Sequence, residues 1–390
     1  MNIQLGSKVA AAERCLPFEC VALVLQGGGA LGAYQGGVYE ALAEANIHPD
    51  WIAGISIGAI NGAIIAGNAP KDRVDRLREF WMQVTSIAPW HWPSDPPQNL
   101  ARSDEARNLL NQMSAGLAMA CGATGFFFTR PLMPWVLPGG TLAATSFYDT
   151  NGLKHTLERL VDFDRLNAGI TRFSAGAVNV RTGNFMYFDT NTHTIRPEHV
   201  MASGALPPSF PAVEIEGEHY WDGGLVSNTP LEWVIDYGHE QDTLAFQVDL
   251  WSARGQVPSN IAEVITRQKE IQYSSRTRAG TDHFKRVQRI RRAIDALLRE
   301  LPEEFAHNEE VQILETVASR KVYNVVQLIY RARNYEGHSK DYEFSRLSMQ
   351  DHWRAGYHDA VRTLRHPEVL ARPTSLDGVR TFDLERDGRE

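Results

Sequence analysis

The sequence predicts an α/β fold whose central sheet is mostly parallel. Residues 21–25 and 51–55 are short apolar runs that are typical of buried strands. Each is followed by an apolar stretch with helical spacing, over residues 31–45 and 57–66. Because strand and helix alternate twice within the first 70 residues, we expect parallel strands joined by right-handed crossovers.

Later segments continue the α/β pattern. Residues 173–180 and 184–188 flank Arg181-Thr182-Gly183, a sequence that favours a hairpin. Gly36 and Gly37 lie inside the first predicted helix, where each costs about 1 kcal/mol relative to Ala, so we expect this helix to pack closely on a neighbour. Further elements are expected as strands at 213–215, 219–221 and 244–250 and as a helix at 230–237.

Residues 80–148 interrupt this pattern and predict an inserted, lid-like segment. They hold several Trp and Pro residues and the run Phe126-Phe127-Phe128. The longest uncharged stretch, residues 108–129, contains glycines and amides and falls short of the ~20 apolar residues of a membrane span.

The remaining chain completes a division into three parts. After residue 259 the sequence is charged and mainly helical, with one strand expected at 322–329 and a last helix near 349–364. We therefore predict an N-terminal extension at 1–20, an α/β domain at 21–258 with 80–148 inserted, and a helical C-terminal extension at 259–390.

Charge and cysteine content narrow the expected compartment and partners. The 390 residues carry a net charge of −8, which favours solubility and argues against nucleic acid as a partner. The three cysteines, Cys15, Cys20 and Cys121, are too few for a disulfide framework and have no zinc-site spacing. Since the N-terminus also lacks the features of a secretory signal, we expect a cytoplasmic protein.

Positive charge is concentrated in residues 267–299, which hold ten Lys or Arg against three Asp or Glu. Apolar and basic residues alternate there with helical spacing: Val287, Ile290, Ile294 and Leu297 on one face, and Lys285, Arg286, Arg289 and Arg292 available to solvent. A solvated helix face explains this pattern. The sharper hypothesis is peripheral contact with an anionic membrane, worth up to ~1 kcal/mol per basic residue.

A glycine-rich turn follows the first strand. Residues 27–32 fit G-x-G-x-x-G, and Asp50 lies near the spacing expected of a ribose-binding acid in a dinucleotide site. Pro49 weakens that interpretation because it stands at the second strand. A tight turn without a ligand explains the glycines as well.

The pentapeptide Gly54-Ile55-Ser56-Ile57-Gly58 fits the G-x-S-x-G of a nucleophile elbow. It lies between a strand and an apolar helix, where a strained turn would present the serine hydroxyl above the sheet. Ser56 could instead simply cap the helix, but the flanking glycines exceed what a cap requires. With a nucleophile present, the N–H groups of Gly27, Gly28 and Gly29 would form an oxyanion hole.

A serine nucleophile needs a base, and Asp222 is the best candidate. It follows an apolar strand end in Trp221-Asp222-Gly223-Gly224, where shielding from water would raise its pKa above ~3.9. A simple D-G-G turn is the alternative. The histidines after the elbow lie in polar or helical surroundings typical of the solvated surface: His239, His307, His352 and His358.

Together these motifs resemble those of the patatin-like phospholipases, α/β acyl hydrolases with a Ser/Asp dyad. The resemblance rests on LVLQGGGALGAY at 23–34, GISIG at 54–58, Asp222-Gly223-Gly224, and the small-residue and proline segment at 202–211. Many members have a basic residue where Leu31 stands here. The region after residue 259 resembles the helical extension of a bacterial subgroup.

The resemblance implies a three-layer α/β/α hydrolase with the following site. Ser56 is the nucleophile, Asp222 the proton acceptor, Gly27, Gly28 and Gly29 the oxyanion hole, and Gly32, Gly54, Gly58, Gly223 and Gly224 support the motifs. The implied activity is cleavage of lipid acyl esters, phospholipid or related, through an acyl-enzyme, without a metal or organic cofactor.

Two functions from other classes remain open. A catalytically silent lipid-binding or scaffold protein would share these motifs. A dinucleotide-binding oxidoreductase would use residues 27–32 but would leave Ser56 and Asp222 unexplained.

The inserted segment offers apolar side chains for a slot that holds a long acyl chain. They are Leu117, Met119, Phe126, Phe127, Phe128, Leu132 and Trp135. Ordinary core packing of an inserted helical pair explains the same residues equally well.

Overall fold

The structure is a computed structural model that describes residues 16–86, 103–238, 241–275, 277–305, 308–333, 335–375 and 377–384. The strands of this part are β1 (Cys20–Leu25), β2 (Trp51–Ile55), β3 (Phe128–Thr129), β4 (Tyr148–Asp149), β5 (Arg172–Asn179), β6 (Phe185–Asp189), β7 (Val213–Ile215), β8 (Glu218–Asp222), β9 (Thr243–Asp249), β10 (Tyr323–Ile329) and β11 (Val379–Phe382). Its helices are α1 (Ala33–Glu44), α2 (Ile57–Ala66), α3 (Arg73–Val84), α4 (Asp104–Cys121), α5 (Asn151–Leu160), α6 (Phe163–Asn167), α7 (Pro197–Ser203), α8 (Leu231–Tyr237), α9 (Ile261–Tyr273), α10 (Thr277–Glu300), α11 (Glu309–Val317) and α12 (Arg346–Leu364).

Nine of these strands form one mostly parallel sheet. Its order is β11-β10-β9-β1-β2-β5-β8-β7, with β6 also paired to β5. The strands from β11 to β5 run parallel, whereas β6 and β8 run antiparallel to β5, and β7 antiparallel to β8. The predicted hairpin at Arg181-Thr182-Gly183 is confirmed as the β5–β6 connection.

Helices cover both faces of the sheet, which confirms the predicted three-layer fold. Successive side chains of a strand point to opposite faces, so Leu23 and Leu25 pack with α1, α2 and α12, and Val24 packs with α8. Helix α10 joins α8 on the second face, where Phe284 packs beside Tyr323 of β10. This double burial is why β1 is an uninterrupted apolar run.

Helix α1 packs closely on α12, as its internal glycines predict. A Cβ atom on Gly37 would lie 1.8 Å from the carbonyl oxygen of Trp353, and one on Gly356 would lie 2.0 Å from that of Tyr34. The absence of side chains at these positions lets the two helix backbones approach, and this contact offsets the low helix propensity of glycine.

The region after residue 259 is mainly helical but also extends the sheet. The strand expected at 322–329 is observed as β10, and β11 was not predicted from the sequence. Both strands continue the sheet beyond β9. The division at residue 259, which remains a prediction, therefore does not coincide with an edge of the sheet. Residues 1–15 of the predicted N-terminal extension lie outside the described residues.

The inserted segment adds helix α4 and the short β3–β4 pair beside the sheet. Phe126 and Phe127 are buried here, against Phe210 and Phe344. Residues 87–102 of the insertion lie outside the described part. In the ranges that the structure describes, no helix has the length and apolar character needed to cross a membrane.

Candidate active site

Ser56 lies in a sharp turn between β2 and α2. Its backbone has φ 55° and ψ −125°, a conformation that costs a non-glycine residue on the order of 1–3 kcal/mol. The turn can form because its flanking residues lack side chains. A Cβ on Gly54 would lie 2.4 Å from the Gly58 carbonyl oxygen, and one on Gly58 would lie 2.3 Å from that of Leu25. This is the geometry expected of a nucleophile elbow.

Strand pairing brings Asp222 beside the elbow. Ile55, the last residue of β2, pairs with Gly176 of β5, and Asp222 at the end of β8 pairs with the next residue, Ala177. Because β6 occupies the other edge of β5 over the same residues, β2 and β8 share one edge and meet end to end. Ser56 directly follows Ile55, so the side chains of Ser56 and Asp222, both predicted from the sequence, meet where β2 and β8 end.

The small-residue segment before Asp222 connects the two motifs. The Ser203 hydroxyl accepts a hydrogen bond from the Ser56 amide at 3.0 Å, and the Ala205 carbonyl accepts one from the Asp222 amide at 3.0 Å. Residues 203–205 therefore fix the backbones of both motifs relative to each other.

The Asp222 carboxyl is buried, with 2% of the residue exposed. Burial raises its pKa to about 7, although the nearby Ser56 hydroxyl and the hydrogen bond from the Gly224 amide lower the pKa in part. The Gly224 amide donates to Oδ1 at 2.7 Å, which fixes the orientation of the carboxyl group. A pKa near neutrality suits a general base, since the group can both take up and release a proton there.

The glycine-rich loop is fixed through the carbonyl group of Gly27. This oxygen accepts hydrogen bonds from Asn228 Nδ2 at 3.1 Å and from Trp251 Nε1 at 3.0 Å. The Gly27 amide donates to the Asn228 carbonyl at 3.4 Å and is therefore engaged. The amides of Gly28 and Gly29 line the cavity and bond to no acceptor in the part of the chain that is described. They are the better candidates for an oxyanion hole.

The second half of the loop packs against residues near the C-terminus. Gly29 has φ 55°, and a Cβ there would lie 2.1 Å from the carbonyl oxygen of Asp341. The same oxygen accepts a hydrogen bond from the Ala30 amide at 2.8 Å. Leu31 is fully buried in the core, so this position offers no charge to the site.

Ser56, Asp222 and the loop line one cavity of about 380 Å³. One part of its wall is apolar: Ala118, Met119, Phe126, Phe127, Tyr148, Leu206, Phe210 and Phe344. Of the predicted slot residues, Met119, Phe126 and Phe127 line the cavity, whereas the remaining four are 44% to 80% exposed and do not: Leu117, Phe128, Leu132 and Trp135.

Several residues of the site were not predicted from the sequence. Gln26, buried below the loop, accepts hydrogen bonds from the amides of Leu250 and Trp251 and donates to the Tyr273 carbonyl. Lys269 and Asp341 line the cavity. Gln26 directly precedes the glycine triplet. A polar residue at the end of an apolar strand is the one sequence signal that could have indicated its role in the site.

Two other predictions are not supported by the positions of the side chains. Asp50 precedes β2 and accepts a hydrogen bond from the Val21 amide at 2.8 Å. Asp50 therefore lies at the N-terminal ends of the parallel strands, whereas the glycine loop lies at their C-terminal ends. The two cannot bind the same dinucleotide. His352 is 2% exposed rather than solvated, and its Nε2 lies 3.5 Å from Glu336 Oε2.

Across the described ranges, no group of three or more His, Cys, Asp or Glu side chains is arranged to hold a metal ion.

The elbow, the glycine loop and the buried aspartate define an α/β hydrolase-like site. Two family models match the chain. The family model described as "Patatin-like phospholipase" matches residues 23–235, and a second, described as "Patatin phospholipase", matches residues 271–376. The chain belongs to the patatin-like phospholipase family.

Curated relatives are similar over short segments. The chain is 53% identical over 75 residues to patatin-like phospholipase domain-containing protein 7 of Rattus norvegicus, covering 19% of this chain and 6% of that protein. It is 59% identical over 49 residues to lysophospholipase nte1 of Aspergillus terreus, covering 13% and 3%. The chain thus matches only a small part of these relatives' length. VipD from Legionella pneumophila aligns over 93% of this chain and 72% of its own, with 16% identity and a TM-score of 0.40.

Proposed function

We propose that the protein is a serine acyl hydrolase that cleaves lipid acyl esters with a Ser56/Asp222 dyad. One observation carries this proposal: the buried Asp222 carboxyl interacts with the Ser56 hydroxyl in a cavity that both share with the glycine loop. Family membership supports a lipid ester as the substrate class.

The proposed reaction has two halves. Asp222 accepts the Ser56 proton while Oγ attacks the acyl carbonyl, and the amides of Gly28 and Gly29 bind the oxyanion. The proton then passes from Asp222 to the leaving alcohol, which leaves an acyl-serine. Water attacks this ester, gives its proton to Asp222 and releases the fatty acid, and Asp222 returns the proton to Ser56.

The apolar wall is suited to the acyl chain. Phe126 and Phe127 lie beside Phe210 in contacts of 5.9 Å and 5.2 Å between ring centroids. The apolar wall and Ser56 line the same cavity. An acyl chain that packs against this wall would therefore place its ester carbonyl near the Ser56 hydroxyl.

Turnover by purified variants tests the dyad. Ser56→Ala and Asp222→Asn should each lower ester hydrolysis at least ~1,000-fold, in line with the loss of a nucleophile or its base. The chain provides a matched control, because Ser275 Oγ donates to the buried Asp249 at 2.7 Å and neither residue lines the cavity. Ser275→Ala should stay within about threefold of wild type. Near wild-type turnover by both dyad variants would exclude the mechanism.

A silent lipid-binding protein is the alternative that shares most of these features. It predicts lipid binding with no release of fatty acid by the wild-type protein, whereas the hydrolase predicts release that depends on Ser56. The oxidoreductase alternative requires an acidic residue that binds ribose beside the glycine loop. Asp50 cannot fill that role, since it lies at the opposite end of the strands from this loop.

We also propose peripheral contact with an anionic membrane through residues 267–299. On α10, Ile290 and Leu297 are 54% and 64% exposed, and they lie among basic side chains. This helix follows Ser275, which bonds Asp249 at the end of β9, and Arg292 bonds the Arg320 carbonyl before β10. The second half of α10 therefore lies near the N-terminal ends of the parallel strands, whereas Ser56 lies at their C-terminal ends.

Vesicle binding tests this contact. Binding should increase with the fraction of anionic lipid and weaken with salt, because exposed charges are screened. Arg286→Glu combined with Arg289→Glu should reduce it, whereas binding that ignores lipid charge and salt would exclude this contact.

A further inference from the structure

An ion pair also lines the cavity. Lys269 Nζ, on α9, lies 2.9 Å and 2.8 Å from the two carboxylate oxygens of Asp341. It also lies 3.3 Å from the His338 carbonyl oxygen and 5.0 Å from the centre of the Tyr342 ring. The two charged side chains are 27% and 21% exposed, so both are accessible to a ligand in the cavity.

This ion pair is adjacent to the oxyanion loop. The backbone carbonyl of Asp341 accepts the Ala30 amide hydrogen bond and contacts Gly29. Tyr273, the last residue of α9, accepts hydrogen bonds on its carbonyl from Asn228 and Gln26, which hold the loop from below. Lys269 and Asp341 therefore flank the place where an ester carbonyl would bind.

The cavity that holds Ser56 thus offers two chemical environments, an apolar wall and an ion pair. A glycerophospholipid has the same division, since its ester carbonyl lies between an acyl chain and a phosphodiester headgroup. With the acyl chain on the phenylalanine wall, the headgroup would face Lys269 and Asp341. Within the described lining of the cavity, Lys269 is the one cation, and the buried Leu31 supplies none.

The existing ion pair selects among headgroups. All three donors of the Lys269 ammonium have partners, two of them on Asp341, so a phosphate that binds Lys269 competes with the Asp341 carboxylate. A purely anionic headgroup would then leave Asp341 unpaired beside a second negative charge, which is unfavourable. A zwitterionic headgroup replaces one ion pair by two, because its ammonium group can bind Asp341.

We propose that Lys269 and Asp341 form a headgroup subsite that favours zwitterionic phospholipids, with Lys269 on the phosphate and Asp341 on the ammonium group. This inference rests on the proposed hydrolase function. It also gives the region matched by the second family model, together with α9, a part in substrate selection.

Three substrates with the same acyl chain test the subsite: phosphatidylethanolamine and phosphatidylglycerol in mixed detergent micelles, and a p-nitrophenyl ester without a headgroup. For wild type, kcat/KM should be about tenfold higher on phosphatidylethanolamine than on phosphatidylglycerol, a difference of about 1.4 kcal/mol. Lys269→Met should lower the ratio of phosphatidylethanolamine to p-nitrophenyl ester turnover about tenfold, and Lys269→Arg should restore most of it. Asp341→Asn should remove the preference for phosphatidylethanolamine over phosphatidylglycerol.

Lys154 provides the matched control, because its Nζ pairs with Glu198 at 2.7 Å outside the cavity. Lys154→Met should leave both ratios unchanged. Equal loss on all three substrates in Lys269→Met would show that Lys269 only supports the loop, and would overturn the subsite. Unchanged ratios in that variant would do the same. Wild type that hydrolyses none of the three substrates removes the proposed function itself, whereas ester hydrolysis without headgroup preference overturns this inference alone.

Discussion

The amide of Ala30 donates a hydrogen bond to the carbonyl oxygen of Asp341 at 2.8 Å. This bond joins the glycine-rich loop that follows the first strand to a segment near the C-terminal end of the fold. Gly29 packs against the same carbonyl group without a side chain between them. The position of the candidate oxyanion hole therefore depends on residues that lie beyond the three sequence motifs.

We predict that a chain ending at residue 258 does not fold. Truncation removes β10, β11 and α12, which uncovers the edge of β9 and the face of α1 that holds the buried Tyr34 and Val38. Soluble yield and far-UV circular dichroism provide the measurement. A soluble 1–258 chain that unfolds cooperatively and hydrolyses esters would show instead that the predicted α/β domain is independent.

Gly37→Ala should strongly destabilise the protein. The new Cβ would meet the Trp353 carbonyl oxygen at 1.8 Å, so α1 and α12 must separate, at a cost of about 2 kcal/mol or more. Urea unfolding measures the change in free energy. Gly116→Ala on α4 is the control, because a Cβ there contacts nothing within 4 Å, and it should add up to ~1 kcal/mol of stability. Equal effects of the two substitutions would contradict the close packing of α1 on α12.

Ester turnover should follow the ionisation of Asp222. Its pKa is about 7, so kcat/KM for a p-nitrophenyl ester should rise about tenfold per pH unit below 7 and level off above it. Asp222→Asn should abolish this titration with the activity. A profile that is flat between pH 5 and 7 would exclude Asp222 as the base.

The same pKa predicts an effect on stability. Burial raises the pKa of Asp222 above its value in the unfolded chain, because the charged form is poorly solvated in the folded protein. The contribution of Asp222 to the free energy of unfolding is therefore highest at low pH, where Asp222 is neutral, and it falls as pH rises through about 7. Asp222→Asn removes the buried charge. Its Tm relative to wild type should therefore be higher at pH 8 than at pH 5, and the opposite order would contradict the burial of this carboxyl group.

Filling the apolar wall should shorten the preferred acyl chain. Ala118 is buried and lines the cavity, so Ala118→Phe should lower kcat/KM for a long-chain ester at least ~10-fold more than for a butyrate ester. Leu117→Phe is the control, since the adjacent side chain is 44% exposed and lies outside the cavity. Equal losses on both esters would assign the wall a structural role only.

Local sequence signals predicted most of the sheet. Strand β2 begins and ends at the predicted residues, because a buried parallel strand is a short apolar run that turn residues delimit. Strand β7 also has its predicted bounds, although it pairs antiparallel to β8 and exposes Glu214. Strand β11 carries Arg380 and Thr381 at the edge of the sheet, so it lacks the uninterrupted apolar run that identified β1. Its place in the sheet is set by pairing with β10, a contact that no local pattern reports.

The candidate site divides in the same way. Ser56, Asp222 and the glycines stand in short motifs whose backbone requirements are visible in the sequence. Asn228, Lys269 and Asp341 come from separate segments and join the cavity only through tertiary packing. His352 is predicted to be solvated from its polar, helical neighbours, but tertiary packing buries it with its Nε2 3.5 Å from Glu336 Oε2.

Labelling by a serine-reactive fluorophosphonate tests the central claim most directly. The Ser56 hydroxyl, activated by Asp222, should react in the wild-type protein, and mass spectrometry should locate the adduct on the peptide that contains residues 54–58. Labelling should be lost in Ser56→Ala, strongly reduced in Asp222→Asn and retained in Ser275→Ala. Labelling that persists in Ser56→Ala, or a wild-type protein that does not react, would contradict a Ser56 nucleophile.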